Sequence, residues 1–225
     1  FVDQMVVGYN KRYNWKTAFA SPENVPTFLH AHKLMRKTWE GMPSKEDIGG
    51  DKWNRIADHC NANYFHIDME RYSLEAVLKK GAELVKRKGI KCLVIDPFNK
   101  VRDINAASDD VNRYTMDYLM KIEIFAKKYD VLVFVVAHPT KMYKNQKTGE
   151  IDEPTMYSIK GGGEWYDASY HGLLVHRDYE ANTVKVKVLK CKFQNLGVNG
   201  AETHFTWEKN SGCYIPLNKP DEAPM

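Results

Sequence analysis

The segment Lys91-Cys92-Leu93-Val94-Ile95-Asp96-Pro97-Phe98 decides the fold class. It is an apolar, β-branched run that ends in a single carboxylate, with helix-period patterns before it at 73–88 and after it at 108–129. A continuous apolar strand between two helices is typical of a parallel strand that is buried on both faces. The sequence therefore predicts an α/β protein in which Asp96 lies at the carboxyl edge of the sheet.

The rest of the chain continues this alternation and then changes character. We predict helices over residues 1–12, 21–40, 52–61, 73–88 and 108–129 and strands over 15–20, 64–69, 90–96 and 131–137. After a polar stretch, further strands are predicted at 171–179, 183–192 and 201–206. The predicted fold is RecA-like in outline: a mostly parallel central sheet flanked by helices, with mixed or antiparallel strands on the carboxyl-terminal side. One domain is predicted over residues 1–216, followed by a disordered tail over 217–225.

Composition places the chain among globular proteins with a modest positive charge. Its 225 residues include 33 basic and 29 acidic residues, a net charge of +4, which is compatible with a nucleic-acid partner. The longest apolar run is far too short to cross a membrane. The cysteines form no Cys-x-x-Cys pair, so buried thiols in a reducing, cytoplasmic location are expected. Because the first residue is Phe, the chain is expected to be a piece of a longer protein.

Three polar side chains are predicted to meet at the carboxyl edge of the sheet. Glu23, Asp96 and His138 each end a predicted strand or follow it closely, and open α/β sheets bind ligands at this edge. Asp96 is predicted to hold the Mg²⁺ of a bound triphosphate, while Glu23 orients or deprotonates an attacking water. His138 would contact a terminal phosphate and report its loss.

Each of these three residues also has a simpler structural interpretation. An aspartate after a buried strand often caps the next loop, and a glutamate in the first turn of a helix interacts favourably with the helix dipole. A histidine after a core strand is most often a surface residue. The functional interpretation is favoured because all three are expected at one edge.

Basic side chains form a second group of candidates. Lys190 and Lys192 end a strand pattern before a turn that contains Gly197. Cations placed there can neutralise charge that develops on a phosphoryl group, in cis or across a subunit boundary. Lys185 and Lys187 are interpreted instead as a solvated strand face.

The polar loop at 140–163 combines lysines, glycines and aromatic residues, which suits a nucleic-acid phosphate backbone. Its predicted DNA-binding lysines are Lys141, Lys144 and Lys147. The alternative is an ordinary flexible loop, but loops of this length inside a compact domain are uncommon without a function.

Five segments, in this order along residues 1–215, resemble the RecA-like motor domain of hexameric replicative helicases, the DnaB and Twinkle-like family. The likeness is greatest to primase-helicases of phages and prophages. The segments resemble the catalytic-glutamate, Walker B, phosphate-sensing, DNA-loop and finger motifs of the family. They are Ala18–Asn24, Leu93–Asn99, Val135–Lys141, Tyr157–Asp178 and Lys190–Gly197.

The resemblance implies an ATP-driven DNA helicase that unwinds forks 5′ to 3′, with Mg²⁺ and ATP bound between subunits of a ring. Single-stranded or forked DNA would be its partner, in the cytoplasm of a bacterial cell, with a phage or prophage as the source of the gene. The motif that resembles the DNA loop adds further predicted DNA-binding residues. They are Lys160, Gly161, Gly162 and Gly163.

The chain departs from the family pattern at two places. The Gly-x-x-x-x-Gly-Lys-Ser/Thr loop is missing from the sequence, and in the family it lies directly before a helix that Phe1–Met5 resembles. We therefore expect a cut just downstream of this loop and poor ATP binding by the fragment alone. Lys192 takes the place of the usual finger arginine and lacks its bidentate fork, so Lys192, Lys190 or Arg177 could serve.

Two other functions are compatible with the sequence. A RecA- or RadA-type repair ATPase would form filaments on DNA and exchange strands instead of unwinding forks. A non-catalytic scaffold would bind DNA or assemble without hydrolysing ATP. A Gly-x-x-x-x-Gly-Lys-Ser/Thr loop upstream of Phe1 in the coding sequence would exclude the scaffold.

Overall fold

A computed structural model of the chain describes residues 1–39, 41, 44–102, 111–141 and 152–217. The chain forms two compact units. One runs from Val2 to His138, and the other consists of Phe1 and the chain from Pro139 onward. Each unit contains a four-stranded sheet of its own. The single domain predicted over residues 1–216 stays a prediction.

The first unit alternates strands and helices around a parallel sheet. Its strands are β1 Lys16–Ala20, β2 Tyr64–His66, β3 Ile90–Ile95 and β4 Leu132–Val135. Its helices are α1 Val2–Tyr13, α2 Thr27–Trp39, α3 Asp51–Asn63, α4 Leu74–Lys88 and α5 Val111–Tyr129. The strands lie in the order β2-β1-β3-β4 and all pair in parallel. The predicted α/β class and the parallel central sheet are confirmed.

Helix α4 begins and ends at the residues that its sequence indicates. The Ser73 hydroxyl accepts a hydrogen bond from the Ala76 backbone N–H at 3.2 Å, which is a side-chain N-cap. Gly89 has a left-handed φ of 69° and donates its N–H to the Val85 carbonyl at 3.0 Å. These two ends determine where the chain turns into β3.

Strand β3 supplies core residues to both faces of the sheet, because successive side chains of a strand point in opposite directions. Val94 packs on one face against Val6 and Val7 of α1 and Phe19 of β1. This face is covered by α1 and α2, and α3 packs on α2.

Leu93 lies on the opposite face of the sheet, which α4 and α5 cover. A Cβ atom added to Gly81 of α4 would lie 3.4 Å from Leu93 Cδ2 and 3.1 Å from Phe125 Cζ. The close approach of α4 to the sheet and to α5 therefore depends on a residue without a side chain at position 81.

The second unit contains an antiparallel sheet preceded by a short helical segment. A 3-10 turn at Met156–Ser158 and helix α6 Gly162–Ala168 come first. Strands β5 His171–Asp178, β6 Thr183–Cys191, β7 Glu202–Glu208 and β8 Cys213–Pro216 follow and pair in that order. The predicted antiparallel arrangement is confirmed, while α6 and β8 were not predicted.

Helix α2 begins later than the sequence pattern indicated. It starts at Thr27, whereas a helix capped by Ser21 was predicted. Pro26 explains the difference, because a proline disfavours helical geometry at the residue before it, here Val25. The prediction that Ser21 caps this helix is wrong, and its hydroxyl is used elsewhere.

Strand β4 is half-buried along its length, although its apolar sequence predicted a fully buried strand. The reason is its position at the edge of the four-stranded sheet. The predicted start of α5 at Ser108 and the tail beyond Leu217 lie outside the described residues.

Two expectations drawn from composition can be compared with the structure. Cys92 and Cys191 are free and buried, as predicted, and burial raises the pKa of Cys92 to about 11. No helix in the described part of the chain is both long enough and apolar enough to span a membrane.

We predict that Leu93→Ala destabilises the chain by about 2–5 kcal/mol, because it removes buried methyl groups and leaves a cavity between β3, α4 and α5. Ile124→Ala is the matched control, since Ile124 of α5 is 57% exposed and should change stability by less than about 0.5 kcal/mol. Urea unfolding of both variants measures the difference. Equal effects would contradict the assignment of Leu93 to the core.

Candidate functional site

The carboxyl ends of β1, β3 and β4 bring the three predicted edge residues together. These strands are neighbours in the sheet. Glu23 is exposed in the loop after β1, Asp96 is half-buried directly after β3, and His138 is exposed beyond β4. The charges of Glu23 and His138 both act on the Asp96 carboxyl group.

Asp96 is held by polar groups of the loop after β1. Its backbone N–H donates to the Ala20 carbonyl at 3.0 Å. The Ser21 hydroxyl donates to the Asp96 carbonyl oxygen at 3.1 Å and lies 3.3 Å from Oδ2. Asn24 Nδ2 donates to the same Oδ2 at 3.3 Å, and Lys33 Nζ donates to Asn24 Oδ1 at 2.9 Å. Sequence analysis gave Ser21 and Asn24 no role at this site, although both lie in the segment that contains Glu23.

The pKa of Asp96 is raised above the usual value for an aspartate. Burial is the largest cause, and the carboxylates of Asp3 and Glu23 add to it, while the Ser21 hydroxyl and His138 oppose it. An ionised carboxylate at this edge therefore costs free energy in the folded state. A cation bound to Asp96 would reduce that cost.

The donors at this edge suit a magnesium ion that is held partly by phosphate and water. In the described part of the chain, Ser21 and Asn24 both donate to Oδ2 of Asp96, which leaves Oδ1 for a cation. The described residues contain no group of three or more His, Cys, Asp or Glu side chains that could hold a metal ion. Mg²⁺ that accompanies a nucleotide usually takes one or two carboxylates together with substrate phosphates, so a single carboxylate fits it.

A buried chain of three side chains joins α1, α2 and β2 near this edge, and the sequence analysis missed it. His30 is 1% exposed, with its Nε2 3.1 Å from Asp3 Oδ1 and its Nδ1 2.9 Å from His66 Nε2. Burial, and then the charge of His30, lower the pKa of His66. Burial would raise the pKa of Asp3, but the hydrogen bond with His30 and the charge of His30 lower it. These residues are far apart in the sequence, so no spacing signalled their contact.

In the second unit, the two predicted finger lysines have different surroundings. Lys190 Nζ donates to the carbonyl oxygens of Tyr166 and Asp167 at the carboxyl end of α6 and lies 4.7 Å from the Tyr166 ring centroid. It thus satisfies carbonyl groups that a helix end leaves unpaired. Lys192 is exposed, with Nζ 4.0 Å from the Tyr170 ring centroid. Lys192 is therefore the more accessible cation.

Arg177, the third candidate for the finger, stacks on aromatic rings. Its guanidinium carbon lies 4.6 Å from the ring centroid of Tyr179 and 4.5 Å from that of Trp207. Its Nε is buried and has no hydrogen-bond partner among the described residues. These contacts restrict the side chain to the surface of the antiparallel sheet.

The lysines that were interpreted as a solvated strand face are paired with an acid. Lys185 and Lys187 both form ion pairs with Glu153, the second at 2.6 Å. The hydrogen bonds from both lysines lower the pKa of Glu153. These two lysines thus hold the segment before α6 on the sheet.

The glycines that were predicted to bind DNA form the start of α6. Gly161 has a left-handed φ of 89°, and a Cβ atom on Gly162 would lie 2.9 Å from the Tyr157 carbonyl oxygen. Around Gly163 such an atom would meet nothing within 4 Å. The backbone therefore requires glycine at positions 161 and 162, whereas position 163 has open space.

Lys141 lies beside the turn that leads into α6. Residues 139–140 pair with residues 158–159 through an isolated antiparallel bridge and a 2.7 Å N–H···O hydrogen bond. This pairing brings Lys141 to the segment that ends in the exposed Lys160. The predicted DNA-binding lysines outside the described residues are Lys144 and Lys147.

Comparison with known proteins places this arrangement in a family. No family model matches the chain. The chain is 27% identical, over an alignment of 235 residues, to the Twinkle homolog protein, chloroplastic/mitochondrial, of Arabidopsis thaliana. A DnaB-like replicative helicase, whose structure also describes its interactions with primase, superposes with a TM-score of 0.68 at 15% identity over 91% of this chain and 51% of that chain. The chain is a RecA-like domain of the DnaB/Twinkle type.

Two further solved structures share the fold of this RecA-like domain. One is a separate ATPase domain, which gives a TM-score of 0.71 at 13% identity and covers 96% of this chain and 80% of that chain. The RadB recombinase gives a TM-score of 0.61 at 9% identity over 96% of this chain and 84% of that chain. The alignment with the plant Twinkle homolog covers 95% of the RecA-like domain but 32% of the relative's length.

We predict that Asp96→Asn stabilises the RecA-like domain at neutral pH. The pKa of Asp96 is raised above 3.8 in the folded state, so its ionised form opposes folding at neutral pH, and this cost disappears as the pH falls through the folded pKa. The variant should have the higher unfolding midpoint at pH 7, and the difference should shrink towards pH 4 in thermal melts without metal.

Asp130→Asn is the control of opposite sign. The hydrogen bond from Lys91 lowers the pKa of Asp130, so its ionised form favours folding above pH 3.8. Removing this carboxylate should not raise the midpoint at pH 7. A lower midpoint for Asp96→Asn at pH 7 would contradict the proposed cost of the Asp96 charge.

Proposed function

We propose that this RecA-like domain is part of the motor of an ATP-driven DNA helicase that moves 5′ to 3′. The observation that carries the proposal is the meeting of Glu23, Asp96 and His138 at the carboxyl edge of a parallel sheet. A metal-holding acid, a water-orienting acid and a group that contacts phosphate are the side chains that hydrolysis of a nucleoside triphosphate requires there.

Each residue at this edge has a separate task in the proposal. Mg²⁺ would supply charge neutralisation at the triphosphate. Ser21 and Asn24 hold the Asp96 carboxylate in one orientation through Oδ2, so that Oδ1 faces the ligand. Glu23, which is exposed, orients the attacking water and accepts its proton. His138 hydrogen-bonds the terminal phosphate and changes its contacts when that phosphate leaves.

The phosphate-binding loop that ATP requires would come from a part of the protein outside these 225 residues, which do not contain its sequence. The free edge of β4 supports this proposal, because parallel sheets are normally covered on both sides and β4 is half-buried. Helix α1 crosses this part of the sheet, with Tyr9 stacked on Phe134 at 6.3 Å between ring centroids. A further parallel strand beside β4 would deliver its loop to the edge where Asp96 lies.

Lys192 is the best candidate for the cation that acts across a subunit boundary in a ring. Its side chain is exposed, whereas the Lys190 ammonium is bound to the end of α6 and Arg177 is stacked on aromatic rings. In this proposal Lys190 positions α6, and Lys192 neutralises charge on the phosphoryl group of the neighbouring subunit.

We predict that Glu23→Gln abolishes ATP turnover in a longer form of the protein that carries the phosphate-binding loop. Loss of a general base should reduce the rate by about 100-fold or more, while binding of a fluorescent ATP analogue should change little. Glu83→Gln is the control, since Glu83 lies on α4 and pairs with Lys80. Turnover that survives in Glu23→Gln would remove Glu23 from this role.

The same assay tests the scaffold alternative. A wild-type protein that contains the loop, binds DNA and assembles but hydrolyses no ATP would be a scaffold. The fold of the RadB recombinase favours a second alternative, a recombinase. Unwinding of a forked duplex supports the helicase, and exchange of homologous strands without unwinding supports the recombinase.

We predict that reversing the charge of Lys141 and Lys160 weakens binding of single-stranded DNA. Each lost phosphate contact should flatten the slope of log K against log salt by about 0.7. Lys79→Glu with Lys86→Glu is the matched control, because both lysines are exposed on α4. Fluorescence anisotropy at several salt concentrations measures the slopes, and equal slopes for the two double variants would move the DNA site elsewhere.

A further inference from the structure

Tyr157 presents an aromatic ring to solvent beside the predicted DNA-binding lysines. It is 60% exposed, which is unusual for a ring that also stacks on another aromatic side chain. Its partner is Tyr166 of α6, with ring centroids 5.3 Å apart and an interplanar angle of 19°. The pair therefore forms a flat aromatic surface with an open side.

The backbone that carries Tyr157 is held firmly. Thr155 and Ser158 form a reciprocal capping box around the 3-10 turn. The neighbouring Met156 is 6% exposed, and its sulfur fills the space that a Cβ atom on Gly172 would take. Because the turn is fixed on both sides, a ligand that contacts the Tyr157 ring would not have to order it first.

Two cations flank this ring in the structure. Lys160 is exposed three residues after Tyr157. The pairing of residues 139–140 with 158–159 brings Lys141 to the other side of the same turn. An exposed ring between two ammonium groups matches the spacing of a nucleic-acid strand, in which an unpaired base lies between two phosphates.

We propose that Tyr157, supported by Tyr166, is a base-stacking platform for single-stranded nucleic acid. This inference rests on the proposed DNA-binding function and adds a second mode of contact to it. Lys141 and Lys160 bind phosphates, whereas Tyr157 binds the face of a base. Stacking tolerates any base sequence, because every base has a π face, so the platform suits a protein that moves along DNA.

The platform can be tested with two oligonucleotides of equal length and charge, one of oligo-dT and one with abasic residues. The wild-type chain should bind oligo-dT more tightly by about 10-fold, the usual effect of one stacked base. Tyr157→Ala should bind both equally and keep the wild-type salt dependence, because no phosphate contact is removed. Tyr157→Phe should bind like the wild type, since stacking needs the ring and not the hydroxyl.

Tyr13→Ala is the matched control. Tyr13 is 51% exposed, lies 5.6 Å from the Trp15 ring and has Arg12 5.4 Å from its own centroid, but it ends α1 in the other unit. Its removal should leave the preference for oligo-dT unchanged. Thermal melts of all variants check folding, and the exposure of Tyr157 predicts little change.

The outcomes separate this inference from the proposed function. A wild-type chain that binds neither oligonucleotide would overturn the DNA-binding function and the platform together. A wild-type chain that prefers oligo-dT, with Tyr157→Ala retaining the same preference, would overturn the platform alone. Loss of the preference in Tyr157→Phe would overturn stacking in favour of a hydroxyl contact, and an altered oligomeric state with unchanged DNA binding would assign Tyr157 to a protein interface.

Discussion

The candidate active site depends on the hydrogen-bonded seam between the carboxyl ends of β1 and β3. The pairing of Ala20 with Ile95 continues one residue further, where the Asp96 N–H donates to the Ala20 carbonyl at 3.0 Å. Because this register is fixed, the loop after β1 must leave the sheet against the Asp96 carboxyl group. The donors at Ser21 and Asn24 then reach that group, and the seam thereby converts two distant segments into one polar site.

The same seam creates an electrostatic cost that a ligand can relieve. Burial and two nearby carboxylates raise the pKa of Asp96, so the domain without ligand bears a charge that its fold does not fully compensate. Ser21 and Asn24 offset part of this cost without removing it. A cation with its phosphates would stabilise the folded state through the same carboxylate, which couples ligand binding to the stability of the sheet edge.

In the antiparallel unit, several basic side chains serve the fold as well as the candidate function. Lys185 and Lys187 bind Glu153, and Lys190 closes the end of α6. Their position in the sequence did not distinguish them from Lys192, which stays exposed. Counting basic residues in a strand therefore overestimates the cations that are available to a ligand, because a lysine that neutralises a helix end or a carboxylate is already paired.

Local pattern was enough to predict the α/β class, the caps of α4 and the placement of Glu23, Asp96 and His138 at strand ends, because hydrophobic periodicity and capping act within a few residues. It could not predict the late start of α2, the exposure of β4, or which lysines are paired. The buried contacts of His30 with Asp3 and His66, and of Ser21 with Asp96, join residues that the sequence keeps far apart. The sequence alone thus determined the elements and the candidates, and only the tertiary structure decided which side chains meet, because register and helix packing set those distances.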